Sequence, residues 1–173
     1  WYAVSDGDDP RYPRGALIRY REWYGSTGEP NKGLRMTADD VALGIKAREE
    51  GDRITYSVID PAAYAENGGP SIAERMSVHG VHFGPADNKR VGTLGAMGGW
   101  DQVRARLKGD DDGRPMVYIF ATGVHLIRTL PALQHDDKRP EDVDSDGEDH
   151  APDEFRYALM SRPYVKDAPE KPG

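Results

Sequence analysis

Apolar residues recur along this chain at two spacings. In Ala16–Tyr24, "ALIRYREWY", Leu17, Arg19, Arg21 and Trp23 alternate with Ile18, Tyr20 and Glu22, which is the period of a strand. "WYAVS", Trp1–Ser5, has the same character, and the turn-rich "DGDDPRYPRG" between them makes the pair a predicted hairpin. The period then lengthens. Ala38, Val41, Ala42 and Ile45 fall on one helical face, Thr37 and Asp40 write a capping box before it, and Gly51 closes it. "RITYSVID", Arg53–Asp60, predicts a β-branched strand ending in Asp-Pro, Pro70–Ser77 a short helix, and "VHGVHF" another strand. The Gly-rich "GPADNKRVGTLGAMGG" leads into a helix from Trp100 to Leu107. "PMVYIFAT", Pro115–Thr122, predicts a buried strand, and "GVHLIRTLPAL" a helix interrupted at Pro131. The last helix is expected over Pro152–Ser161, with Phe155, Ala158 and Leu159 facing inward, and "KDAPEKPG" has the composition of a disordered tail.

This order predicts an α/β domain with a mixed sheet, an antiparallel hairpin beside parallel strands, over residues 1–163, with 164–173 as the tail. A chain of 173 residues can bury the core of one such domain. With no Cys, disulfides, thiol nucleophiles and thiolate zinc sites are excluded, as fits a reducing compartment. The net charge of −7 argues against a basic nucleic-acid coat, but leaves room for an enzyme with a local basic track and an acidic pocket. No apolar run approaches the ~18 residues of a membrane span, and no signal peptide is expected.

The acidic stretch "SDGEDHAPDEFRYALMSRP", Ser145–Pro163, raises the question of chemistry. It has three readings. Glu148, Asp149 or His150 could cap the last helix, where the dipole favours negative charge. Asp142, Asp144 and Asp146 could begin a calcium loop ending at Asp153, although that twelfth position calls for Glu and Pro152 lies inside the loop. Or Asp149 and Asp153 could form one arm of a Mg²⁺ site whose other arm is Asp60, at the carboxyl end of its strand. Asp60 also reads as a plain turn carboxylate before Pro61. Lys89 and Arg90, in a loop after a parallel strand, are the candidates for contacting phosphate; Arg104, Arg106 and Lys108 read as a solvated helix face. His79 and His82, expected on one strand, would face opposite sides. No Ser-His-Asp arrangement and no G-x-x-x-x-G-K-[ST] loop is present, so no nucleotide site is expected.

Three segments together, "VIDPAAY", "DNKRVGTLGAMGGWDQVRARL" and "EDHAPDEFRYALMSRP", resemble in order and spacing the nuclease domain of the large terminase subunit of tailed bacteriophages. The Asp-His-x-x-Asp-x-x-Arg-Tyr-Ala-Leu pattern is the most specific part, and "WYAVSDGD…GALIRYREWYG" extends the likeness from Trp1 to about Pro163. The resemblance implies a ribonuclease H-like fold, a mixed sheet flanked by helices, with endonuclease cleavage of double-stranded DNA during genome packaging. It implies two Mg²⁺ or Mn²⁺ ions held by three acids, with Asp60 and Asp153 as two of them and Asp149 as a companion. The first acid would lie on a strand upstream of Trp1, so this chain is expected to lack that strand and to be weak or inactive alone. Asp6, Asp8 and Asp9 belong to the hairpin turn at the wrong end of the sheet. Glu22 would stand roughly 10 Å away at the spacing of strands. The resemblance further implies an ATPase domain elsewhere in the full-length protein, the portal and small terminase subunit as partners, no membrane, and the host cytoplasm as location. The alternatives are a calcium-binding or structural module with its loop at 142–153, and another ribonuclease H-like nuclease such as a resolvase or transposase.

Overall fold

The structure, a computed structural model, describes residues 1–29, 32–94, 96–144 and 147–165. In chain order the elements are β1 (Tyr2–Val4), β2 (Leu17–Arg19), α1 (Ala38–Arg48), β3 (Val58–Ile59), α2 (Ile72–Val78), β4 (Gly84–Pro85), α3 (Gly99–Lys108), β5 (Val117–Ile119), α4 (Val124–Thr129) and α5 (His150–Ser161). The architecture is mixed α/β. The chain divides into two compact units: residues 1–23 with 89–173, and residues 24–88. The tail predicted over 164–173 falls largely on residues 166–173, which lie outside the described residues. No helix among the described residues is long and apolar enough to cross a membrane.

In the first unit the expected hairpin forms: β1 pairs antiparallel with β2, Tyr2 opposite Arg19 and Val4 opposite Leu17. β5 lies on the other side of β2, parallel to it, with Leu17 opposite Val117. The alternating face explains which residues turn inward. Leu17 and Arg19 are buried, and so is Val117. α5 contributes Phe155 and Leu159, both fully buried, and α3 contributes Trp100 and Val103. Each such large apolar side chain removed from water stabilises the fold by about 1.5–3 kcal/mol. Pro131 ends α4 as expected, and the chain continues as a 3-10 turn over Leu130–Ala132.

Arg106 departs from the expected solvated face. It is 2% exposed. Its Nη1 donates to the carbonyl of Met116 at 2.8 Å and its Nη2 to that of Arg162 at 2.6 Å. The guanidinium also stacks over Tyr164. Gln102, one turn earlier, accepts from the Tyr164 N–H at 2.7 Å and donates to the Tyr164 carbonyl at 3.2 Å. α3 therefore anchors the chain that leaves α5, using polar groups on its inner face.

In the second unit the capping box of Thr37 and Asp40 starts α1, and a second one, Ser71 with Glu74, starts α2. Ala42, Met76 and Val81 form the buried centre, with Ala38, Val41, Ile45, Ile59 and Phe83 packed against it. Two expectations fail here. "VHGVHF" is not a strand: His79 is the C-cap of α2, and Gly80 follows with φ +76, the left-handed position that ends a helix. His79 and His82 therefore do not share a strand. "RITYSVID" pairs only over Val58–Ile59, against Gly84–Pro85, in its own two-stranded parallel sheet. Pro85 has no N–H to extend that ladder. The strand before Asp60 thus belongs to a separate small sheet and not to the mixed sheet of β1, β2 and β5.

Candidate functional site

Asp149 and Asp153 are set by the start of α5. Asp149 is the N-cap residue, and its carbonyl accepts the Asp153 N–H at 2.7 Å, so the two carboxylates stand one helical turn apart. The Asp149 side chain makes no capping hydrogen bond. Glu148 is likewise engaged elsewhere, gripped by both Nη atoms of Arg128 at 2.8 and 2.5 Å. A side-chain capping bond therefore does not account for these acids, although the helix dipole favours Asp153 in the first turn.

Both carboxylates lie within ion-pair distance of one atom. Arg90 Nη1 lies 3.8 Å from Asp149 Oδ2 and 3.5 Å from Asp153 Oδ1. Arg90 is itself fixed from behind. Its Nε donates to Asp142 Oδ1 and its Nη2 to the Val143 carbonyl, each at 2.8 Å. Asp142 is buried and also accepts from the Trp100 indole N–H at 3.2 Å and from the Val143 N–H at 2.8 Å. The Arg90 guanidinium and that of Arg156 both stack over the Trp100 ring. Arg156, 1% exposed, donates through Nε to Asp153 Oδ1 at 3.1 Å and through Nη1 to the Lys89 carbonyl at 3.1 Å. The N–H groups that open α3 complete the join: Gly99 donates to the Lys89 carbonyl and Trp100 to the Arg90 carbonyl.

The charges respond to this packing in opposite ways. Burial, and after it the charge of Asp153, push the Asp149 carboxyl up from its ordinary value, against the pull of His150 and Arg90. Burial acts the same way on Asp142, but there the hydrogen bonds from Arg90, Val143 and Trp100 outweigh it, and its pKa lies below the ordinary value. Burial also disfavours the charged form of Arg90, and the surrounding acids overcome it, so Arg90 is held protonated.

The other sequence candidates are placed as follows. The Asp60 Oδ1 accepts the Ala62 N–H at 2.8 Å and caps a 3-10 turn over Pro61–Tyr64, so the turn role of Asp-Pro is present. Asp60 belongs to the second unit and the 149–153 pair to the first. Lys89 is exposed. Glu22 is committed to structure: its side chain is buried, and its oxygens accept the His125 and Leu126 N–H groups at 2.8 and 3.1 Å and pair with Arg19 at 3.0 Å. Of the calcium-loop positions, Asp142 faces Arg90 and Trp100, and Asp146 lies outside the described residues.

Protein-family models, curated proteins and solved structures yield no match to this chain. Among the described residues, no group of three or more His, Asp or Glu could hold a metal ion. What the first unit does contain is a pair of hard oxygen donors converging on a cationic atom. That is the donor chemistry of Mg²⁺ or Mn²⁺, which take one or two carboxylates and complete their shell with water and phosphate oxygens. Asp149 and Asp153 offer two such donors, of which Asp153 Oδ1 is already bonded to Arg156. The partners Asp142, Trp100 and Arg156 were missed at the level of sequence. Arg156 had a signal, three residues after Asp153 in the most specific motif. Asp142 was singled out only as the start of a calcium loop, because nothing in the sequence links it to Arg90.

Proposed function

We propose that this chain is the nuclease part of a large terminase subunit, ribonuclease H-like in fold, that cuts double-stranded DNA with Mg²⁺ or Mn²⁺. The observation that supports this best is the convergence of Asp149 and Asp153 on Arg90 Nη1. A second observation agrees with it. Lys89, Arg90, Gly99 and Trp100, from one segment of the resemblance, are bonded or packed against Asp153 and Arg156, from another. Residues far apart in the chain but joined in the motif thus work as one structural group.

In this reading Asp153 and Asp149 hold the metal, while a part for Asp60 rests on the resemblance alone. The metal pair would activate water and offset charge on the phosphodiester. Arg156 fixes the rotamer of Asp153, and burial keeps Asp149 poorly solvated, so a cation is favoured beside it. Lys89, exposed in the loop before α3, meets the phosphate backbone; cleavage is largely sequence-independent, since no element reads as a base reader. The ATPase domain, portal, small subunit and host cytoplasm belong to the same proposal. The calcium-loop alternative is weaker because its first residue, Asp142, is buried in bonds to Arg90 and Trp100.

The test is relaxation of supercoiled plasmid in Mn²⁺ by the protein as its gene encodes it. Asp60→Asn should abolish nicking, and undiminished nicking by that variant would overturn the part that the resemblance implies for Asp60.

A further inference from the structure

We propose that Asn67 is a site of spontaneous covalent modification, where the chain converts its own carboxamide into a carboxylate by way of a cyclic imide formed with Gly68. The site belongs to the second unit. It lies on the segment between the turn over Pro61–Tyr64 and Ser71, the cap of α2.

The chemistry needs an Asn side chain and the backbone nitrogen after it, both unhindered. The Gly68 nitrogen gives up its proton and attacks Cγ of Asn67. The N–Cγ bond forms, the Cγ–Nδ2 bond breaks, and Nδ2 leaves as ammonia. Water then opens the five-membered imide at either of its carbonyls. One opening gives Asp. The other gives isoaspartate, in which the main chain runs through the side-chain carbon. One water enters and one ammonia leaves, with no oxidation or reduction. Either product adds a negative charge. Isoaspartate also lengthens the main chain just before Ser71, whose capping box with Glu74 starts α2.

The structure selects this place over others of similar sequence. Asn67 and Gly68 are both exposed. Among the described residues, neither the Asn67 side chain nor the Gly68 N–H makes a hydrogen bond to another residue. A Cβ placed on Gly68 or on Gly69 would meet nothing within 4 Å, so no neighbouring chain crowds the nitrogen. Gly68 holds φ +79, which favours glycine there and so leaves the nitrogen unshielded by a side chain. Other pairs of this kind are tied down. In Asp6–Gly7 the Gly7 N–H donates to Ser5 Oγ at 3.1 Å, and Asp6 Oδ1 accepts the Asp8 N–H at 3.0 Å. In Asp112–Gly113 the Gly113 N–H donates to the Asp110 carbonyl at 3.1 Å, and Asp112 pairs with Arg114 at 3.2 Å. Asn88 is followed by Lys89, whose Cβ shields the attacking nitrogen.

The test is peptide mapping by mass spectrometry on the full chain, incubated at mildly alkaline pH and sampled over time, beside a synthetic peptide of residues 62–73. Circular dichroism checks that the incubated chain stays folded. Asn67 should change before Asn31 and Asn88, with isoaspartate among its products. Its rate in the folded chain should be no more than about tenfold below that in the peptide, since a larger gap would mean that the fold adds more than about 1.4 kcal/mol to the barrier. Isoelectric focusing should show a more acidic form growing in wild type and missing from Asn67→Gln, where the ring would be larger and slow to form. A rate far below that of the peptide would show that the fold restrains the pair, and would overturn the proposal. So would earlier change at Asn31 or Asn88, an acidic form that persists in Asn67→Gln, or Asp as the sole product, which would mean that water and not Gly68 attacks.

Discussion

Gly99 and Arg156 touch so closely that a Cβ on Gly99 would stand 2.4 Å from Cγ of Arg156. The same Cβ would lie 2.9 Å from the Lys89 carbonyl oxygen. Arg156 is buried and pinned by Asp153 and Lys89, so it has little room to give. Gly99→Ala should therefore cost about 1–3 kcal/mol, the usual penalty of overpacking. Urea unfolding checks this, and an unchanged midpoint would show that Arg156 moves freely.

Two arginines one half-turn apart on α3 should behave very differently. Arg106→Ala strips donors from the Met116 and Arg162 carbonyls and leaves a cavity, at a cost of about 3 kcal/mol or more. Arg104 is half exposed and pairs with Asp101 and a surface carbonyl, so Arg104→Ala should stay within about 0.5 kcal/mol of wild type. Equal effects in denaturant would contradict the clamp assigned to Arg106.

Asp142 and Asp149 should leave opposite marks on stability against pH. The folded pKa of Asp142 is depressed, so its contribution is present above the unfolded value and is lost as pH falls through the folded one. The folded pKa of Asp149 is raised, so its charge costs stability above that pKa, and the cost fades as pH falls to the unfolded value. Asp142→Asn should lower the melting temperature at neutral pH and flatten the acid limb. Asp149→Asn should raise it at neutral pH and converge on wild type in acid. Melting curves across the acid range separate the two, and shifts of the same sign would contradict the assignment.

Elements whose local signals agree with their packing were legible from the sequence. The hairpin of β1 and β2, the capping box at Thr37, the stripe of Ala38, Val41, Ala42 and Ile45, and the break at Pro131 are all local features. The misread segments depended on partners. Arg53–Asp60 has strand propensity throughout, yet a strand needs a neighbour, and Gly84–Pro85 supplies only a short one. "VHGVHF" predicts a strand, yet Gly80 within it, with φ +76, follows the end of α2. Arg106 looked solvated because helical charge usually is, and its partners Met116, Arg162 and Tyr164 lie in segments outside α3. For the site, the sequence singled out Asp60, Asp149, Asp153, Lys89 and Arg90; the structure joins Asp149 and Asp153 to Arg90, while Asp60 belongs to the other unit and caps the turn over Pro61–Tyr64. The depth of that cluster, through Asp142 and Trp100, is set by contacts between distant segments and has no local pattern to read.

The central claim is that the start of α5 holds the metal that cuts DNA. The most direct measurement is Mn²⁺-dependent nicking of supercoiled plasmid by Asp153→Asn, made in the protein as its gene encodes it, beside a melting curve that shows the variant folded. The change keeps an oxygen for Arg156 and removes only the charge. The account predicts a loss of about a hundredfold or more, several kcal/mol of lost charge stabilisation. A folded Asp153→Asn protein that nicks at the wild-type rate would contradict it.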